Sequence, residues 1–250
     1  MIPLKDDAPR FTTPYINYFL MAANIAVFIY QLTLPMIGGQ AYLASFIRDF
    51  GLVPVRVPIW ISGGDVPIRL IHELGTRYIS AVGALLPILT SMFLHGSWMH
   101  IISNMWALYI FGDNVEDHFG HFGYLGFYLL GGVLANLAHV LVNFYSPIPS
   151  VGASGAIACV MGAYFVLYPS ARVLLWFLPI FFLFLWIPAW LVLGYWFIVQ
   201  FLSGAATAIA STAATRGGIA FWAHIGGFIA GVILVKIFPS RPRRYSYYGR

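Results

Sequence analysis

Long apolar stretches separated by short polar ones constrain this chain more than any other feature. Six segments are apolar enough and long enough to be read as membrane helices. A span needs roughly 20 such residues. Only 8% of the 250 residues are charged, against about 25% in a typical soluble domain. Too few charges remain to cover a water-facing surface, so lipid is the expected solvent. The expected fold is all-α, a polytopic membrane bundle of six transmembrane helices.

The first helix is expected over residues 15–34. A long connection follows over 35–96, whose last part, 79–94, is apolar but ends in Leu94-His95-Gly96 and reads as interfacial or re-entrant. The second helix is expected over 98–111, ending at a charged turn, 112–118. The third covers 122–145, the fourth 151–168 and the fifth 173–203, with kinks expected at Pro179 and Pro188. A small, polar loop over 204–217 leads to the sixth, over 218–238. Residues 1–14 form an N-terminal tail, 15–238 the membrane domain and 239–250 a basic tail. The net charge of +5 gathers at that end, in Lys236, Arg241, Arg243, Arg244 and Arg250. Beside a span such a cluster marks the cytoplasmic side, so both termini are expected inside. No nucleic-acid partner is expected, and the single Cys159 offers no internal disulfide.

Polar groups inside spanning segments are costly and are functional candidates by default. His100 and Asn104 lie near the start of the second helix, Ser154 near the start of the fourth, and His224 in the first third of the sixth. With the N-terminus inside, all three helices run from outside to inside, so these four side chains share one depth. Ser154 is flanked by Gly152 and Gly155, with Ala158 and Gly162 on its own face. Gly227 and Gly231 share the face of His224. Small residues let two membrane helices approach closely. A serine and an imidazole must come within about 2.6–3.2 Å to share a proton. Other protease chemistries lack their residues. The acidic residues lie in loops, tails or helix ends, so an intramembrane carboxylate pair is missing. His72-Glu73 has no second histidine at the spacing a zinc site needs. The lysines, Lys5 and Lys236, are both near the termini.

The same residues carry a family resemblance across helices two to six. His95-Gly-Ser-Trp-Met-His100-Ile-Ile-Ser-Asn104 resembles the rhomboid motif H-x-x-x-x-H-x-x-x-N. Glu116 resembles the family's glutamate after that helix. Gly152-Ala-Ser154-Gly155 matches G-x-S-G, and Ala223-His224-Ile-Gly-Gly227-Phe-Ile-Ala-Gly231 matches A-H-x-x-G-x-x-x-G. The resemblance implies an intramembrane serine endopeptidase that acts on transmembrane protein substrates without a cofactor or metal. It implies Ser154 as nucleophile, His224 as base, and an oxyanion hole of His100, Asn104 and the Ser154 amide. Gly152, Gly155, Gly227, Gly231, Glu116 and His95 are expected as structural supports. The family's aromatic residue one turn after the serine is replaced here by Ala158, so another group must support His224. The rival expectations are an inactive rhomboid-like escort protein and a transporter with a polar cavity. The simplest expected location is a prokaryotic inner membrane.

Overall fold

The computed structural model describes residues 1–177, 180, 182–210 and 220–240. The chain order is β1 (Ile2–Asp6), α1 (Tyr15–Phe50), α2 (Arg56–Ile61), α3 (Ile68–Leu74) and α4 (Ala81–Thr90). A 3-10 turn (Ser91–Phe93) precedes α5 (Trp98–Phe119), α6 (His121–Val142) and α7 (Ser154–Leu167). Strands β2 (Arg172–Trp176) and β3 (Phe184–Pro188) then lead into α8 (Ala189–Ala210) and α9 (Phe221–Leu234).

Helix α7 is the axis of the bundle. Every residue from Gly155 to Tyr164 is buried, as befits a helix that is apolar on all sides. It packs against α5, α6, α8 and α9, most extensively against α9. Among the described residues, α1, α6 and α8 are long and apolar enough to cross a membrane. Residues 79–94 form α4 and the 3-10 turn, which bend 76° away from α5. That bent pair counts as a fourth span if taken together. Helices α7 and α9 have 14 residues each, shorter than the ~20 of a full crossing.

The described residues are mostly helical, and what the all-α expectation lacked is a three-stranded antiparallel sheet of order β1-β2-β3. The expected fifth span starts instead as β2 and β3. An apolar run without helical periodicity fits a strand as well as a helix, and Pro188 closes β3 immediately before α8 rather than kinking a helix. Residues 204–210 continue α8 instead of forming a loop. The rest of that loop, Pro179 and the tail arginines lie outside the described residues.

The expected charged turn at 112–118 is also helical. Its charges find partners in the N-terminal segment, which runs along α5. Arg10 pairs with Asp113 at 2.9 Å, and the Thr12 hydroxyl and Phe11 amide donate to Asp117. Glu116 is fully buried and accepts from the amides of Ile16 and Asn17, at 3.0 and 2.7 Å. Those are first-turn N–H groups of α1, which a helix cannot satisfy itself, and the carboxylate suits the positive end of the helix dipole. Helix α5 ends at Gly120, whose φ of 74° needs glycine. Helix α1 runs past its expected end to Phe50, broken at Gly38 and at Gly39 with φ 70°.

The sheet carries a pH-dependent contact. The Tyr164 hydroxyl donates to Asp6 Oδ2. Burial pushes the Asp6 carboxyl up to about 6, against the opposing effect of that hydrogen bond. A carboxyl raised on folding contributes stability that is complete below its unfolded value near 3.8 and is lost as pH rises through about 6. Amide exchange in Ile2–Asp6 is therefore expected to become more protected, after correction for intrinsic rates, between about pH 8 and about pH 4. Asp6→Asn is expected to flatten that response.

Candidate active site

The turn before α7 sets the position of Ser154. Gly152 has φ 133°, and its amide donates to Ser91 O at 2.9 Å, which pins the turn to the 3-10 segment. Ala153 is the N-cap and makes no side-chain capping bond, so Ser154 opens α7. Its amide is thus among the unpaired N–H groups at the positive end of the helix. His224 lies one turn into α9 and is buried. Its Nε2 stands 2.7 Å from Ser154 Oγ.

Glycines permit that approach. A Cβ on Gly227 would lie 2.2 Å from Gly155 O, and one on Gly231 would lie 2.0 Å from Cys159 O. Both obstructions are backbone atoms of α7, which cannot swing aside as a side chain can. Gly227→Ala is expected to cost about 1–3 kcal/mol by overpacking, measured as thermal unfolding in detergent. Gly194→Ala serves as the control, since its Cβ would meet only Phe165 at 3.9 Å.

The residues on α5 face the same turn. A Cβ on Gly152 would fall 2.7 Å from His100 Cε1 and Nε2 and 3.7 Å from Asn104 Nδ2. Asn104 is buried, with Nδ2 at 2.9 Å from His95 Nε2. His95 is held in turn by Gln31, which accepts from its amide at 2.9 Å and donates to its carbonyl at 3.2 Å. The structure therefore brings Ser154, His224, His100, Asn104, Gly152 and Gly155 together, with His95 behind Asn104. Glu116 lies away from them, at the far end of α5.

Two neighbours of His224 escaped the sequence reading. Gln200 Oε1 stands 2.8 Å from His224 Nδ1. The Trp196 ring lies beside the imidazole, with centroids 5.7 Å apart and planes inclined by 37°. Both belong to α8 and are one helical turn apart. Ala158, by contrast, is small and fully buried. A polar residue in a spanning helix was the available signal for Gln200.

A model of the rhomboid domain matches residues 82–241. Rhomboid-like protein 11, chloroplastic, of Arabidopsis thaliana is 32% identical over 200 residues, covering 77% of this chain and 66% of that protein. Rhomboid protein 1, mitochondrial, of Saccharomyces cerevisiae is 30% identical over 172 residues, 65% of this chain and 46% of that protein. Presenilin-associated rhomboid-like protein, mitochondrial, of Homo sapiens is 30% identical over 156 residues, 58% of this chain and 36% of that protein. The chain thus spans between about a third and two thirds of the length of these relatives. Their organellar names do not fit the expected prokaryotic inner membrane, whereas the apolar helices agree with a membrane protein. With the family match extending over most of its length, this chain belongs to the rhomboid family.

Proposed function

We propose that this chain is an intramembrane serine endopeptidase that cleaves transmembrane-helix substrates. The observation that carries this reading is the 2.7 Å approach of His224 Nε2 to Ser154 Oγ. In the proposed reaction His224 takes the Ser154 proton as the oxygen attacks the scissile carbonyl carbon. The carbonyl oxygen becomes an oxyanion facing the Ser154 amide, Asn104 and His100. Collapse breaks the C–N bond, and His224 returns the proton to the leaving amine. Water, activated by the same imidazole, then releases the acyl group from Ser154. Donors fixed in place before the charge develops are worth more here than in water.

The proposed membrane domain spans residues 15–238 in six crossings. These would be α1, α6 and α8, the bent α4–α5 pair, and the shorter α7 and α9. With both termini cytoplasmic, Ser154 and His224 lie toward the outer face. A peptide bond within a helix is shielded by its own hydrogen bonds, so a substrate must unwind locally to reach Ser154. Small residues at the cleavage site and Gly or Pro nearby favour that unwinding.

A fluorophosphonate probe tests the reading on purified protein. It should label the wild type and leave Ser154→Ala unlabelled. Folded wild type that neither labels nor cleaves any transmembrane substrate would overturn the reading in favour of an escort protein.

A further inference from the structure

The imidazole of His224 is held at both nitrogens, one by each of two different helices. Nε2 meets Ser154 Oγ of α7 at 2.7 Å, and Nδ1 meets Gln200 Oε1 of α8 at 2.8 Å. A base that receives the Ser154 proton must present a bare Nε2, so its single hydrogen must sit on Nδ1. An amide oxygen at Nδ1 accepts that hydrogen and selects this tautomer. It also fixes the rotation of the ring about its Cβ–Cγ bond. Gln200 is the sole carboxamide in α8 and is neutral, so it orients the base without adding a charge to the membrane.

Resting on the proposed Ser–His chemistry, we propose that Gln200 is a positioning residue, the third member of the site, that sets the tautomer and direction of His224. Trp196, four residues before it, bounds the ring on the same side. Both supports therefore come from α8, not from α7, where Ala158 offers no ring.

The test uses the full chain with Gln200→Leu and Gln200→Glu. Among the described residues, the titratable side chains that act on His224 are His100 on α5 and His139 on α6, and both variants leave them in place. Gln200→Leu is expected to lower kcat by about 10–100-fold with little change in KM, because it removes orientation and not substrate contact. Gln200→Glu is expected to keep most of the activity and to move the acid limb of the kcat/KM profile to higher pH, since a carboxylate favours the imidazolium. A residue that only packs would leave the tautomer unchanged in Gln200→Leu and would not lower kcat selectively. Ring-15N spectra, assigned by loss of the signal in His224→Ala, should show hydrogen on Nδ1 in the wild type and a mixture in Gln200→Leu. If Gln200→Leu fails to fold, Gln200→Met, close in shape but without the amide, takes its place in the same spectrum. Unchanged profile and tautomer in the folded variants would overturn the inference. A wild type that neither cleaves nor labels, yet shows the tautomer change on substitution, would sink the protease reading and leave the orienting contact supported.

Discussion

Ser154→Ala and His224→Ala are each expected to abolish cleavage of a transmembrane substrate while leaving thermal unfolding in detergent close to that of the wild type. In the proposed reaction the two groups act as one unit, through the 2.7 Å contact between them. Without the base the serine hydroxyl keeps its proton, and without the nucleophile the imidazole has nothing to activate. Losses within such a unit do not add, so the double variant should be no worse than either single one. Folding should survive because neither side chain fills a large part of the core. The α7–α9 crossing rests on Gly155, Gly162, Gly227 and Gly231, whose backbones remain in place. Cleavage by purified Ser154→Ala at more than a trace would remove Ser154 as nucleophile.

The approach of His224 to Ser154 was legible because its signals are local. A serine and a histidine in otherwise apolar helices stand out, and the spacing of Gly227 and Gly231 after His224 reads directly as a close-packing face. Glu116 was legible only as a structural support after the second helix. That its partners are the first amides of α1 depends on a contact across 99 residues, which no local pattern encodes. Gln200 was missed for a similar reason. It lies in an aromatic-rich run that reads as a lipid-facing surface, and its register against His224 is set by how α8 crosses α9. The sheet was missed because residues 173–188 are continuously apolar, and apolarity alone separates neither strand from helix nor sheet from span. The N-terminal segment looked like a tail because its partners, Val173 and Trp176 in β2 and Asp113 and Asp117 in α5, lie more than a hundred residues away.

Asn104→Ala is expected to lower kcat by about 10²–10³, or roughly 2.7–4 kcal/mol, with KM nearly unchanged. The amide nitrogen of Asn104 carries two hydrogens and stays a donor at every working pH. One hydrogen is directed at His95 Nε2 at 2.9 Å, which fixes the plane of the amide and leaves the other for the site. His95 is itself clamped through both backbone groups by Gln31 of α1. The donor is therefore oriented before any substrate arrives, and orientation made in advance need not be repaid as charge develops. A donor aimed at the oxyanion of the intermediate gains most of its strength in the transition state, so its loss falls on kcat. The contrary expectation is that Asn104 only joins α5 to the segment before it. Its removal would then lower the melting temperature while turnover per folded molecule stayed near wild type. Measuring kcat, KM and melting temperature on one preparation separates the two. Should activity follow the folded fraction alone, the oxyanion would be left to the Ser154 amide and His100, and His100→Ala would then have to carry the larger loss.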